Sequence, residues 1–330
     1  MTIAIKDTAI GGYFALESGT GAGLPWIDHA IGYQSARSAL AAVLIAARPA
    51  VVWVPNFICG SVNDTLRSIG VQVRRYALTE SLGVPDEVSP ASTDLLICVD
   101  YFGINAAAVD QAIDRFGPSL LVDASQSLFF RHCTGGTTIY SPRKFFGVPD
   151  GGLLRTSRRV SPSNDATEAD SLARSQHLLY RRAGLVDAGY AMFQKAETSL
   201  SGCEPVTMSR LTDALLRSID VDTAVERRRR NYRDLAALLR PRGFDIPCLQ
   251  SDAVPLCCPV RCDDAVRVRK ELAARRIFTP TYWSDAAIPD DDRVALRLRD
   301  GTVYLPCDQR YGERELLRVA SSMIESMEES

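Results

Sequence analysis

The stretch Ser119 to Gly152, SLLVDASQSLFFRHCTGGTTIYSPRKFFGVPDGG, decides the fold. It opens on the apolar run Leu120, Leu121 and Val122, the pattern of a strand buried on both faces of a parallel sheet. The run stops at Asp123. In open α/β sheets the carboxyl ends of the strands form the rim of the ligand crevice, so an acid placed there is a candidate for function. Downstream stands Lys144, within Ser141-Pro142-Arg143-Lys144 and ahead of the turn Gly147-Val148-Pro149-Asp150-Gly151-Gly152. Alone, Lys144 also reads as a solvated surface charge, and Asp123 as a helix N-cap. Taken together they say more. An acid at a strand end, Gln126 shortly after it, a hydroxyl just before a lysine and a glycine-rich turn beyond suit a cofactor with a ring nitrogen, an aldehyde and a phosphate.

Asp123-Ala124-Ser125-Gln126 and Tyr140-Ser141-Pro142-Arg143-Lys144 resemble the Asp-Ala-Ala-Gln and serine-to-lysine elements of the DegT/DnrJ/EryC1/StrS family. These are pyridoxal-phosphate sugar aminotransferases of aminotransferase fold type I. The resemblance implies that Lys144 carries the Schiff base to pyridoxal 5'-phosphate, Asp123 faces the pyridine nitrogen, Gln126 lies near the phenolic oxygen and Ser141 binds the phosphate. Many members place more residues between the serine and the lysine. Upstream, Ser35-Ala36-Arg37-Ser38-Ala39-Leu40 resembles the family's Gly-Thr-Ala-Ala-Leu type of motif, with Arg37 where a threonine is common. That implies a phosphate cradle from Ala36, Arg37 and Ser38, in which a guanidinium can make a bidentate contact. Pro55-Asn56-Phe57-Ile58-Cys59 looks like the segment that places a residue on the ring face. Phe57 and Cys59 are both candidates, and many relatives carry an aromatic at Cys59. Asp100-Tyr101-Phe102-Gly103 and Tyr282-Trp283 resemble segments that reach toward the substrate.

The activity implied is transfer of an amino group from an amino acid, glutamate in the family, to a keto sugar attached to a nucleotide. It serves polysaccharide or glycoside biosynthesis, in a homodimer with shared active sites. Three other readings stay open. Another reaction on the same cofactor, such as sugar dehydration, usually replaces the lysine by histidine, whereas a lysine stands here. A non-catalytic or regulatory descendant would keep the fold alone. A nucleotide-binding α/β enzyme without pyridoxal phosphate would need a glycine fingerprint that Gly11-Gly12 and Gly19-Thr20-Gly21-Ala22-Gly23 do not supply.

Composition is compatible with this class. The chain has 330 residues, of which 46% are hydrophobic, so two domains and a large core are expected. Lys plus Arg number 38 against 40 for Asp plus Glu, which gives no overall charge to draw nucleic acid or an anionic membrane. The cluster Arg227-Arg228-Arg229-Arg230 reads as a solvated helix face. Nine cysteines, an odd count with no secretory leader, read as reduced thiols of a cytoplasmic protein. Cys257, Cys258 and Cys262 lack the partners of a zinc site, and no metal is expected. No apolar run has the length of a membrane span.

Along the chain, residues 1–30 read as an arm packing over the site or a neighbouring subunit. Tyr33 to Ala47 predicts a helix with Ser35 as N-cap, and a helix start favours phosphate. Strands are expected at Val51–Val54, Val71–Tyr76 and Leu95–Val99, with a helix from Ser61 to Ile69. Alternation of strand and helix through Gly152 is the mark of a doubly wound, mostly parallel sheet with helices on both faces. A loop is expected over 156–170, then one helix from Ser171 to Leu200 in which His177 is an ordinary helix residue. A long helix should run from Asp220 through Leu239 until Pro241-Arg242-Gly243 ends it. Beyond it come a strand at Leu256–Val260, a helix at Asp264–Arg275, a strand at Thr302–Leu305 and a helix at Glu313–Glu328. That order suits a smaller C-terminal α+β domain. The expected division is a large cofactor-binding domain over 1–220 and a small domain over 221–330.

Overall fold

The computed structural model describes residues 9–129 and 136–328. Residues 1–8 of the expected arm, and 130–135 within the deciding stretch, lie outside the described residues.

At the centre lies a seven-stranded sheet. Its strands, in chain order, are β2 (Ile31–Tyr33), β3 (Val51–Pro55), β4 (Gln72–Tyr76), β5 (Leu95–Val99), β6 (Leu120–Ala124), β7 (Thr137–Tyr140) and β8 (Gly152–Thr156). Their spatial order is β2-β8-β7-β6-β5-β3-β4. Pairs β3–β4, β3–β5, β5–β6 and β6–β7 are parallel, while β8 runs antiparallel to both β7 and β2. The expected α/β class and mostly parallel sheet are what the chain forms. Leu95–Val99 and Leu120–Ala124 are buried at every position, as strands covered on both faces must be. On the edge strand β4 four of five residues are exposed, and Arg74 and Arg75 there oppose edge-to-edge pairing.

Helix α1 (Ala36–Ala47) is apolar nearly all round and buries Ser38 through Leu44. Its start differs from the sequence expectation, because Tyr33 ends β2 and the helix begins only after Ser35. Ser35 caps it, accepting from the Ser38 N–H at 3.1 Å. Next come α2 (Gly60–Ile69) and α3 (Ala106–Phe116), which packs on β5 and β6. The single helix expected over Ser171–Leu200 is two, α4 (Glu168–Arg182) and α5 (Val186–Ser199), packed as a hairpin. Gly184 adopts φ +78 at the break, a conformation that a helix interior cannot absorb. A short α6 (Arg210–Leu216) precedes α7 (Val221–Leu239).

The apolar interior falls into two clusters. The larger surrounds the central sheet and takes in Leu40, Val54, Leu96, Leu121 and Leu153. The second joins α7 to β9 (Cys258–Arg261), α8 (Ala265–Ala274), β10 (Ile277–Phe278), β11 (Thr302–Leu305) and α10 (Glu313–Glu328) through Leu235, Val260, Leu272, Val303 and Val319. Between β10 and β11 lies α9 (Arg293–Asp300). Strand β9 pairs antiparallel with β11, and β1 (Ile10–Gly11), in the N-terminal arm, pairs parallel with β10. The arm therefore closes on the C-terminal part of the chain.

Candidate active site

Strands β6 and β7 are parallel neighbours, with Asp123 opposite Ile139 and Ala124 opposite Tyr140. The chain leaves β7 directly into Ser141-Pro142-Arg143-Lys144, a 3-10 turn in which the Phe145 N–H closes on Pro142 O at 2.9 Å. Asp123 and Lys144 thus stand at the carboxyl ends of adjacent parallel strands, where open α/β sheets bind ligands. One residue links them. Lys144 Nζ lies 3.3 Å from Ser125 Oγ, and the Ser125 N–H donates to Asp123 Oδ1 at 2.9 Å. Asp123 is 3% exposed, whereas Lys144 is half-buried and lines a cavity of about 760 Å³.

That cavity is walled by Tyr13 and Phe14 of the arm, by Arg181, Tyr190 and Phe193 of the α4–α5 hairpin, and by Tyr282, Tyr304 and Arg310 of the C-terminal part. Ser141 and Arg143 share its floor with Lys144. Four further predicted site residues form an aromatic cluster beside it. Phe57 lies against Trp283 with ring centres 4.6 Å apart, the Tyr101 hydroxyl donates to Phe57 O at 2.6 Å, and the Phe102 ring lies tilted against that of Tyr282 with centres 5.7 Å apart. Phe57, Tyr101 and Phe102 are fully covered, so of these segments only Tyr282 faces the cavity. Phe102 and Trp283 hold φ +59 and +51, left-handed values that cost a non-glycine residue energy and cluster at functional sites. Cys59 is half-buried at the start of α2, where its sulfur accepts from Ser61 Oγ at 3.1 Å.

Gln126 is fully buried, and its Oε1 accepts from the Phe102 N–H at 3.1 Å. Its Nε2 has no partner among the described residues, and a buried donor left so costs about 1–3 kcal/mol. An acceptor oxygen on a bound molecule would relieve that cost. At the start of α1, Ala36 and Arg37 are half-buried and Ser38 is buried. There is no acid in the first turn to satisfy the positive helix end. Gly152 packs tightly here: a Cβ on it would lie 2.0 Å from the carbonyl carbon of Ser35.

Positive charge collects at this helix start. Burial pushes the Arg143 guanidinium down to about 10, with Asp150 opposing the shift and Arg174 and Arg37 adding to it. Arg143 pairs with Glu197, and Arg174 lies 4.0 Å from the buried Asp150. Arg37 reaches Leu200 O, and its Nε is buried without a partner among the described residues. Three arginines therefore face two acids, an arrangement suited to a phosphate. The unpartnered amide of Gln126, the acid-free helix start and this excess of cations all fit pyridoxal phosphate.

Sequence reasoning missed several of these groups. Arg228, expected on a solvated face, is fully buried. It donates to Pro255 O at 3.1 Å and to Phe145 O, next to Lys144, at 3.3 Å. A run of four arginines hides the one that points inward. Ser125 stood inside the deciding stretch, but its hydroxyl drew no reading. His177, expected to be an ordinary helix residue, lies within α4, buried against Tyr13 and Phe193 with ring centres 5.5 Å away in both cases, and burial pushes it down to about 4.

No family model matches the chain, and no curated protein matches it. Solved structures do match. The aminotransferase TlmJ from Streptoalloteichus hindustanus superposes with a TM-score of 0.63 at 15% identity, over 91% of this chain and 86% of its own. A DegT DnrJ EryC1 StrS aminotransferase from Brucella abortus gives 0.62 at 18% identity, over 90% and 85%. The chain has the fold of these aminotransferases. The putative sugar aminotransferase Spr1654 from Streptococcus pneumoniae, in its PLP form, gives 0.65 at 11% identity over 97% and 93%. Among the described residues no helix is long and apolar enough to cross a membrane.

Proposed function

We propose that the chain is a pyridoxal-phosphate-dependent aminotransferase that moves an amino group from an amino acid, glutamate by resemblance, to a keto sugar linked to a nucleotide. The observation that carries this reading is the chain of contacts that runs from Lys144, at the wall of the cavity, through the buried Ser125 to the buried Asp123. In this reading Lys144 holds the cofactor, Asp123 its ring nitrogen and Gln126 its phenolic oxygen. Ala36, Arg37, Ser38 and Ser141 hold its phosphate, with Arg143 and Arg174 adding charge. When bound, pyridoxal phosphate supplies an electron sink for a carbanion at the substrate Cα.

The protein's own groups do the rest. The Asp123 carboxylate favours a proton on the nitrogen it faces, since an opposite charge at contact distance stabilises the charged form. The Lys144 amine would carry the proton from the donor Cα to the cofactor carbon in one half of the cycle, and from the cofactor carbon to the acceptor carbon in the other. The aromatic walls at Tyr13, Phe193, Tyr282 and Tyr304 exclude water and offer faces on which a sugar or base can lie. The proposal includes a cytoplasmic homodimer. Leu172, Leu179, Leu185 and Tyr190 leave apolar surface exposed on the same hairpin that walls the cavity, which supports a second copy covering it. The division into domains over 1–220 and 221–330 is likewise proposed; the second apolar cluster, drawn almost wholly from α7 onward, supports it, while the larger cluster also takes in Leu256, Trp283, Leu298 and Tyr304.

The experiment is to load the protein with pyridoxamine phosphate and present a panel of nucleotide-linked keto sugars. One equivalent of amino sugar per protein chain, seen by mass spectrometry, is expected for at least one acceptor. Failure of the protein to retain the cofactor at all would refute the reading.

A further inference from the structure

We propose that Ser125 is a positioning residue for the Lys144 amine, holding it in register when the lysine is free. This rests on the reading of Lys144 given above. Ser125 is 7% exposed and sits in the turn after β6, where the Ser127 N–H closes on Ala124 O at 2.9 Å. Its own N–H is fixed to Asp123 Oδ1 at 2.9 Å. The hydroxyl is therefore carried on a rigid piece of backbone, and it points at Lys144 Nζ 3.3 Å away. A lysine side chain has large rotamer freedom, and a fixed partner removes part of it in advance.

The choice of a hydroxyl matters. It accepts a hydrogen bond from an ammonium and, by rotating, donates one to a neutral amine, so it holds the lysine in both protonation states. In the Asp-Ala-Ala-Gln element that this stretch resembles, an alanine stands where Ser125 does, and an alanine has no hydroxyl to offer. Asp123 and Lys144 are thereby coupled through a single residue: the serine backbone registers on the acid, and its side chain registers on the amine.

The test uses the full chain as Ser125→Ala and Ser125→Thr, in two arms. In the cofactor-free protein, Lys144 is labelled with a limiting amine-acylating reagent, and its rate is compared by peptide mass spectrometry with those of the exposed Lys195 and Lys270. Ser125→Ala should raise the Lys144 rate several-fold relative to those two, and Ser125→Thr, which keeps the hydroxyl, should not. In the loaded protein, the rate of the half-reaction with an amino donor should fall about 10- to 100-fold in Ser125→Ala, the scale of loss for a misplaced reacting group. KM should stay within about two-fold, and the isotope effect with an α-deuterated donor should rise. An unchanged labelling ratio together with an unchanged isotope effect would overturn the proposal. If the wild-type chain takes up no cofactor, the aminotransferase reading fails, and the labelling arm still decides whether Ser125 holds the amine.

Discussion

Asp100 tests the electrostatics of the strand ends. It follows β5, is 1% exposed, and its backbone N–H donates to Asp123 O at 3.0 Å. Its Oδ1 accepts from the Asn105 N–H at 3.3 Å. Burial raises the carboxyl from 3.8 to about 6, although hydrogen bonds from Ser127 and Asn105 oppose the shift. A carboxyl raised in the folded state binds its proton more tightly there than in the unfolded chain. Its contribution is favourable below the unfolded value and is lost as pH rises from about 4 through about 6. A shift of roughly two units corresponds to about 3 kcal/mol. Asp100→Asn keeps an acceptor oxygen and abolishes the charge, so it should leave stability near wild type at pH 4 and raise it by about 2–3 kcal/mol at pH 8. Urea unfolding of both proteins at pH 4, 6 and 8 measures this. A difference that does not vary with pH, or a variant less stable than wild type at pH 8, would refute the reasoning.

Two further changes probe the helix start that the proposed phosphate needs. Ser35→Ala removes the oxygen that caps α1 at 3.1 Å and should cost about 1 kcal/mol, read as a lower urea midpoint at constant m. Gly152→Ala would set a methyl 2.0 Å from the Ser35 backbone; displacement of β8 from α1 should cost about 1–3 kcal/mol and weaken cofactor retention in equilibrium dialysis, whereas an unchanged protein would show that this contact yields freely.

What could be read in the sequence was what lies within one strand or one helix. Leu95–Val99 and Leu120–Val122 announce themselves because strands covered on both faces need unbroken apolar runs. Ser35 announces α1 because its side chain meets a backbone N–H only three residues on. Strands β7 and β8 were not legible: β8 begins at Gly152, inside a run that reads as turn, because glycine carries no side chain to show which face is buried. The cavity was hidden for a different reason. Arg310 Nη1 donates to Tyr13 O at 3.0 Å across nearly the whole chain, and Arg228 turns inward only because carbonyls of Phe145, Pro255 and Leu256 wait there. Local patterns cannot encode such meetings. Asp123 and Lys144 could be paired in advance only through the resemblance of their flanking residues to known elements.

Everything proposed for this site turns on the Lys144 amine as the group that holds the cofactor. The direct measurement is to mix the purified protein with pyridoxal phosphate, reduce with borohydride, digest and locate the modified peptide. A visible absorbance band before reduction and a single phosphopyridoxyl group on Lys144 are expected, with both absent in Lys144→Ala. Modification spread over Lys195 and Lys270 with Lys144 untouched, or a band that survives in Lys144→Ala, would contradict it.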